Sequence, residues 1–195
     1  MTLICSQRFA SPLGALYVCA SARGVCLLEF ARAERIERES RDLEKRLRAR
    51  TVLRENEHTR QAAREIAEYF QGTRHAFDIA LHTPGTDFQR RVWAELGTIP
   101  FGHTTHYQAM AERLGRPDAV RAVGAAIGSN RIAVVIPCHR VIGKDGSLTG
   151  YAGGMQRKDW LLAHERGETA PDREPGLFDA EREPQIVPAD NGWAG

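Results

Sequence analysis

The sequence lacks the patterns that direct a chain into or across a membrane. No stretch approaches the roughly 20 apolar residues that a membrane-spanning helix needs. Residues 1–30 are interrupted by Arg8, Pro12 and Arg23, and they lack the ordered basic head, apolar run and cleavage site of an export signal. We therefore expect a cytoplasmic location, at the nucleoid if the source is bacterial, and no membrane partner.

Cysteine is also scarce, and internal repeats are absent. The four cysteines are Cys5, Cys19, Cys26 and Cys138. Disulfides form in oxidising compartments, so the lack of an export signal predicts that these thiols stay reduced. A chain of 195 residues is long enough for one large domain or two small ones. We expect it to be a monomer.

A strong net charge is missing as well. The formal charge is +2, and 42% hydrophobic with 27% charged residues is an ordinary globular composition. The charge is nevertheless uneven. Residues 167–195 carry seven acidic and two basic residues, whereas residues 88–144 carry eight basic and three acidic ones. A basic middle could hold a polyanion, but uneven solvated charge is the simpler explanation and charge alone favours it.

The first third of the chain is predicted to be a small sheet with helices. Short β-rich runs between turn signals predict three strands, over residues 4–9, 15–20 and 25–30. The charged stretch 31–50 has Glu and Arg three and four residues apart, which predicts an exposed helix. Residues 59–70 have one apolar face and predict a second helix, and residues 77–81 predict a further strand.

The second part is predicted to be helical. A linker at residues 82–86 marks a domain boundary, and four helices are predicted after it, over residues 87–96, 107–114, 118–127 and 155–165. A turn containing Gly115 joins the two middle helices, which is the pattern of a helix-turn-helix. The apolar run 133–136 predicts a strand that ends near Cys138. The proline-rich, acidic residues 167–195 are expected to be disordered.

A Cys–His pair follows this apolar run, in the string Ile-Pro-Cys-His-Arg-Val-Ile of residues 136–142. A cysteine beside a histidine base recurs in covalent catalysis, and the base needs a third group to orient it. The thiolate is the reactive form, and we expect the charge of Arg140 to lower the pKa of Cys138. A Cys–His pair by itself is weak evidence for catalysis, because buried cysteines are common.

The sequence around this pair resembles the O6-alkylguanine-DNA alkyltransferases, also called methylated-DNA–protein-cysteine methyltransferases. Their signature is the string Pro-Cys-His-Arg-Val, here residues 137–141. Further motifs of the family occur in the expected order, namely Ser-Pro-Leu-Gly at 11–14, Ala-Val-Arg-Ala-Val-Gly at 119–124, Gly-Tyr-Ala-Gly-Gly at 150–154 and Leu-Leu-Ala-His-Glu at 161–165. The resemblance covers roughly residues 1–166.

The resemblance implies an α/β protein with two domains. Residues 1–82 would form a small ribonuclease H-like domain of sheet and helices, without an acidic cluster for nuclease chemistry. Residues 86–166 would form a helical domain of winged-helix or helix-turn-helix type that carries the active-site cysteine. Residues 167–195 would remain as an acidic tail outside both domains.

The resemblance also assigns roles to residues. Cys138 would accept an alkyl group, His139 would remove the thiol proton through a water, and Glu165 would orient His139. Asn130 would hold the turn that contains the cysteine, and Tyr107 would promote base flipping and donate a proton. The residues implied near DNA are Arg121, Tyr107, Gln108, Arg116, Gln89 and Lys144, and those implied in the base pocket are Val141, Tyr151 and Ala152.

The implied function is direct DNA repair without a cofactor. The chain would act as a methylated-DNA–protein-cysteine S-methyltransferase on double-stranded DNA. It would transfer the alkyl group of O6-methylguanine, and of O4-methylthymine, irreversibly to Cys138 in a single turnover. The target atom is stacked inside the duplex, so the base would be flipped out from the minor groove, with Arg121 filling the gap.

Two other functions are weighed against this one. Alkyltransferase-like proteins bind the same lesion without an acceptor cysteine, and the presence of Cys138 argues against that function. A Cys–His hydrolase would need an oxyanion hole, for which no separate motif is visible.

A metal site is weighed separately, because some relatives hold a structural zinc in the first domain. Three of the corresponding positions here are Cys5, Cys26 and His82, but the fourth is Ser21. Structural zinc normally takes four protein ligands, so we expect no metal.

Overall fold

The computed structural model describes residues 2–168, with strands in the first half and mainly helices in the second. The tail predicted over residues 167–195 therefore lies outside the described residues from position 169 onward. The first half consists of β1 (Thr2–Phe9), β2 (Leu16–Ser21), β3 (Gly24–Phe30), α1 (Ala33–Leu47), β4 (Ala49–Leu53) and α2 (Glu57–Phe70). The second half consists of α3 (Asp87–Leu96), β5 (Thr105–His106), α4 (Tyr107–Arg113), α5 (Val120–Gly128), β6 (Val141–Ile142) and α6 (Met155–Glu165).

The first four strands form one mixed sheet in the order β3-β2-β1-β4. β2 is antiparallel to β1 and β3, whereas β4 is parallel to β1 because α1 carries the chain across the sheet. Alternate residues of a strand point to opposite faces. Tyr17 and Cys19 of β2 therefore pack with α1, whereas Leu16 and Val18 join the core shared with the helices of the second half. The sheet is thus the support on which the second half is built.

Backbone hydrogen bonds of β3 join the two halves. The N–H of Leu28 donates to Arg131 O at 2.8 Å, and the N–H of Ala133 donates to Leu28 O at 2.7 Å. At the other end of the chain, Arg157 of α6 donates to Leu13 O at 2.8 Å. The segment that leads to Cys138 is consequently fixed to the sheet of the first half.

Two of the four helices of the second half, α3 and α4, begin at side-chain caps. Thr86 Oγ1 accepts the N–H of Gln89 at 3.2 Å, and the Gln89 side chain accepts the N–H of Thr86 at 2.9 Å, a capping box that starts α3. His106 Nδ1 accepts the N–H of Ala109 and starts α4. The four predicted helices are confirmed, with ends within two residues of the predicted ones. Across residues 2–168, no helix is both long and apolar enough to span a bilayer.

Two predicted elements of the first half are corrected. The helix predicted over residues 31–50 ends at Leu47, because Arg48 adopts a left-handed φ of 48°, and β4, which was not predicted, follows at once. The strand predicted over residues 77–81 is reduced to an isolated bridge between Leu81 and Val25. The free edge of β3 is divided between this bridge and the contact with residues 131–133, so no long strand can run along it.

A third correction concerns the run before the cysteine. Residues 133–136 form turns and not the predicted strand, since Val134 adopts a φ of 69°. The side-chain amide of Asn130 donates to Ile132 O and Ile136 O, and so binds two of the carbonyls that strand pairing would otherwise satisfy. Cys138 therefore begins a short 3-10 helix instead of ending a strand.

We predict that Gly24→Ala lowers the free energy of unfolding by about 2 kcal/mol or more. Gly24 has a φ of 141°, and an added Cβ would lie 2.4 Å from Ala80 O. Urea denaturation measures the loss. The matched control is Gly128→Ala in a helix, where an added Cβ meets nothing within 4 Å. Equal losses in both variants would contradict the prediction.

Candidate active site

The thiol of Cys138 lies just beneath the surface, at the first position of the 3-10 helix Cys138–Arg140. The residue is 8% exposed. The side-chain amide of Asn130 donates to Sγ at 3.2 Å. The N–H of Cys138 donates to Ile136 O, and its own carbonyl accepts the N–H of Val141. The sulfur is therefore held in one place by a closed local network.

Asn130 organises the turn that precedes this cysteine. Its Nδ2 donates to Ile136 O at 2.9 Å and to Ile132 O at 3.3 Å, and its Oδ1 accepts the N–H of Ile132 at 3.0 Å. Val134 lies at the centre of the turn in the left-handed region, which is unfavourable for a β-branched residue. The bonds of Asn130 thus hold a strained turn in the shape that presents Sγ.

Burial is the main influence on the Cys138 thiol and raises its pKa to about 11. The hydrogen bond from Asn130 and the charges of Lys158 and Arg35 lower the pKa, while the charge of Glu29 raises it. A thiol with such a pKa is protonated at neutral pH. The site therefore needs a base to take the proton when the sulfur reacts.

His139, the next residue along the chain, is the candidate for that base. The ring is fully buried, and its Nε2 lies 2.7 Å from Glu165 Oε1. Burial lowers the pKa of His139, against the opposing influence of Glu165, so the imidazole is neutral. With the Nε2 proton donated to the carboxylate, Nδ1 carries a free lone pair. Within residues 2–168, this buried Nδ1 has no hydrogen-bond partner.

The carboxylate of Glu165 is fully enclosed by donors. Besides His139, it accepts hydrogen bonds from Tyr69 Oη (2.8 Å), from the N–H of Gly102 (3.1 Å) and from Arg140 Nε and Nη2 (2.8 and 2.9 Å). Burial works to raise the pKa of Glu165, but the hydrogen bonds and charges of His139 and Arg140 hold it well below its usual range. The group is thus a permanent anion beside the histidine.

The predicted influence of Arg140 on the thiol is wrong. Its guanidinium pairs with Glu165 and also donates to Ile99 O at 2.6 Å. The charge of Arg140 is thus balanced by the Glu165 carboxylate. Burial raises the pKa of Cys138, whereas we had expected Arg140 to lower it.

Tyr69 and Lys158 were not identified from the sequence. Lys158 is fully buried, and its Nζ donates to Val141 O and Thr149 O, both at 2.6 Å. Burial lowers the pKa of Lys158 to about 8. The one available signal was its place on α6, seven residues before Glu165 and so on the same helical face.

Tyr107 begins α4 and lies between α5 and the loop that precedes α6. An added Cβ on Gly124 would lie 3.7 Å from its ring, and its hydroxyl donates to Thr149 O at 3.3 Å. Tyr151 is edge-on to His139, with ring centroids 6.4 Å apart. Its hydroxyl is a buried polar group that also has no hydrogen-bond partner within the described range. The Tyr151 hydroxyl therefore offers unused hydrogen-bonding capacity near His139.

The other predicted pocket residues lie along the same loop and strand. Val141 is buried, with its carbonyl on Lys158, and Ala152 is half-buried. Their roles toward a base stay predictions.

The basic residues predicted near DNA are exposed, namely Arg116, Arg121 and Lys144. Arg121 lies one helical turn before Gly124, so it shares the face of α5 that meets Tyr107. The two glutamines already have protein partners. Gln89 belongs to the α3 capping box and donates to Ser129 Oγ, and Gln108 donates to Glu112. Contacts of these five residues with DNA stay predictions.

Three of the residues at the zinc-like positions, Ser21, Cys26 and His82, form hydrogen bonds to other protein groups. His82 Nδ1 lies 2.8 Å from Ser21 Oγ, and Cys26 Sγ donates to Cys19 O at 3.4 Å. Burial raises the pKa of Cys26 to about 12. Among the side chains of residues 2–168, no group of three or more His, Cys, Asp or Glu is arranged to hold a metal ion.

Fold and site define a class, the two-domain α/β proteins in which a buried cysteine is followed by a histidine that is hydrogen-bonded to an acid. Comparison with known families identifies the family within this class. The 6-O-methylguanine DNA methyltransferase ribonuclease-like domain matches residues 4–83, and the DNA binding domain of the same family matches residues 87–167. The chain belongs to the 6-O-methylguanine DNA methyltransferase family, and the predicted fold class is confirmed.

Curated relatives carry the name methylated-DNA–protein-cysteine methyltransferase. One from Methanosarcina barkeri is 42% identical over 153 residues, which cover 78% of this chain and 90% of the relative. One from Shigella flexneri is 59% identical over 102 residues, but these cover only 52% of this chain and 60% of the relative. A crystal structure of Mycobacterium tuberculosis OGT in complex with DNA is 37% identical, with a TM-score of 0.71, covering 84% of this chain and 93% of that one.

We predict that Tyr69→Phe lowers the free energy of unfolding by about 1.5–3 kcal/mol, because a buried carboxylate loses a donor. Urea denaturation at neutral pH measures the change. Tyr107→Phe is the matched control, since its hydroxyl lies at the surface and donates to a neutral carbonyl. A Tyr69→Phe loss no greater than that of the control would contradict the prediction.

Proposed function

We propose that this chain repairs DNA by transferring the alkyl group of O6-alkylguanine to Sγ of Cys138, once per molecule. The observation that carries the proposal is the network around that sulfur. Asn130 fixes Sγ, and the adjacent His139 holds Glu165 through Nε2 while its buried Nδ1 is unpaired. Membership of the family and the names of its curated relatives support it.

The proton and bond changes follow from the protonation states. The thiol proton passes to Nδ1 of His139, through a water molecule, and Glu165 stabilises the imidazolium. As the Sγ–carbon bond forms, the bond between that carbon and guanine O6 breaks. Guanine takes up a proton from the hydroxyl of Tyr107, which solvent later restores. The thioether product has no second nucleophile to release it, so the reaction is irreversible and needs no cofactor.

Access to O6 requires that the base leave the duplex. Arg121 is exposed on the face of α5 that meets Tyr107, and it is suited to occupy the place of the flipped nucleotide. Gly124 and its small neighbours allow this helix to approach the minor groove closely. Arg116 and Lys144 add positive charge for phosphates.

The flipped base would enter beside Tyr151. Tyr107 exchanges its bond to Thr149 O for the base, and the carbonyls of Cys138 and Val141 each keep a lone pair for the exocyclic amine. The N–H of Ala152 donates to O6. O4-methylthymine presents the same kind of alkylated oxygen and is a second substrate. We place this reaction in the cytoplasm, on double-stranded DNA, with the protein as a monomer.

The proposal predicts one methyl group on Cys138 after incubation with duplex DNA containing O6-methylguanine. Mass spectrometry of the digested protein locates it. Cys138→Ala should acquire none, whereas Cys5→Ala, which changes a cysteine outside the site, should react like the unchanged protein. Repaired DNA with an unmodified Cys138, or more than one turnover per molecule, would refute the proposal.

The role of Arg121 gives a separate prediction. Replacing it with alanine should slow transfer from duplex DNA by about tenfold or more, since filling the gap offsets the cost of unstacking. Transfer from the free alkylated base needs no flipping and should be unchanged. Arg113→Ala on α4 is the matched exposed control. Single-turnover rates on both substrates measure the effect, and equal slowing on both would count against flipping by Arg121.

A further inference from the structure

A largely buried ion pair of the first half contacts Asn130, the residue that holds the cysteine turn. Glu29 of β3 has a side chain that is only 3% exposed, and Arg35 of α1 donates to its carboxylate at 2.6 Å through Nη2. The same Nη2 lies 3.3 Å from Asn130 O and donates to it as well. One guanidinium therefore links a carboxylate of the first domain to the residue that holds the cysteine turn.

The pair is poorly built for stability alone. It is joined through one nitrogen, and Arg35 Nε is buried without a hydrogen-bond partner in the range 2–168. Taking two charges out of water is costly, and a single-point contact compensates for that cost less well than a two-point one. The strand and helix that carry the pair already pack through apolar residues. We therefore look for a role of this ion pair in the active site, which it contacts through Asn130.

Asn130 connects Arg35 to the sulfur atom of Cys138. Its carbonyl accepts from Arg35, while its side-chain amide donates to Cys138 Sγ at 3.2 Å. Three consecutive contacts thus run from Glu29 through Arg35 and Asn130 to the thiol. The guanidinium therefore contacts the backbone of the residue whose side chain fixes Sγ.

The charges of Glu29 and Arg35 also influence the pKa of the Cys138 thiol, as do groups on other elements around it. The charge of Glu29 raises the pKa of Cys138, whereas Arg35 and Lys158 of α6 lower it. Tyr151 of the preceding loop is a neutral phenol, because burial raises its pKa. The two members of the pair therefore act on the sulfur in opposite directions.

Glu29 itself faces further charges. Burial raises its pKa to about 7, against the influence of Arg35, with Glu39 raising it and Arg38 lowering it. Both of these lie on α1, so that helix supplies the charged surroundings of the carboxylate.

We infer that Glu29 and Arg35 are positioning residues, through which the first domain fixes Asn130 and sets the charge beside Cys138. The inference rests on the proposed function in one respect, that Cys138 is the group that reacts. It assigns the first domain a direct part in the chemistry of a cysteine that the second domain carries.

The test is the pH dependence of Cys138 alkylation by iodoacetamide in the full chain, followed on the peptide that contains it. Thiolate displaces iodide, so the midpoint of the rate profile reports the thiol pKa. Glu29→Gln should move the midpoint to lower pH by about 0.5–1 unit, because a negative neighbour is removed. Arg35→Gln should move it to higher pH by a similar amount. The double variant should return near the midpoint of the unchanged protein.

Two variants separate this role from a loss of folding. Arg35→Lys keeps the charge and should keep the midpoint. Arg41→Gln breaks an exposed ion pair with Glu37 on the same helix and should leave the midpoint and the methyl-transfer rate unchanged. Unchanged midpoints in both Glu29→Gln and Arg35→Gln, or shifts in the same direction, would overturn the inference.

Methyl transfer from alkylated duplex DNA, measured beside the alkylation profile, distinguishes the two proposals. If the unchanged protein transfers no methyl group, the proposed function fails, while opposite midpoint shifts still support the pair. If transfer occurs and the midpoints do not move, the pair has no electrostatic part in the reaction and the inference fails alone.

Discussion

The buried carboxylate of Glu165 is the interaction on which the rest of the site depends. It accepts hydrogen bonds from Tyr69 of the first half, from the turn at Gly102 and from His139 and Arg140 beside the thiol. A buried charge is tolerated only when it is paired and hydrogen-bonded, so these segments cannot shift independently. The Glu165 carboxylate, which contacts His139, therefore also holds the two domains together.

How much of this site could be predicted depends on sequence separation. Cys138 and His139 are adjacent in a specific string, and the resemblance to a family supplied Asn130 and Glu165, which are eight residues from the cysteine and 26 from the histidine. Tyr69 lies 96 residues from Glu165, and nothing local distinguishes it from an ordinary core aromatic. The thiol pKa was misjudged because burial, which outweighs nearby charge, is not visible in a string of residues.

Some elements of the fold could likewise be predicted from the sequence, and others could not. The helices of the second half could be predicted because caps and apolar spacing are local signals. β4 was missed since the end of α1 depends on the backbone of Arg48, and the run before Cys138 was misread because the side chain of Asn130 replaces a strand partner. Both failures lie where the conformation of one residue or the hydrogen bonds of one side chain outweigh the pattern of apolar residues.

The contacts between Leu13 and Arg157 and between Tyr69 and Glu165 close chain segments of 144 and 96 residues. Contacts so distant along the chain form slowly, because long loops must close first. The network around His139 and Glu165 therefore exists only in the folded chain, once segments far apart in the sequence have packed together. The burial that raises the pKa of the Cys138 thiol is likewise a property of the folded protein and not of the local sequence.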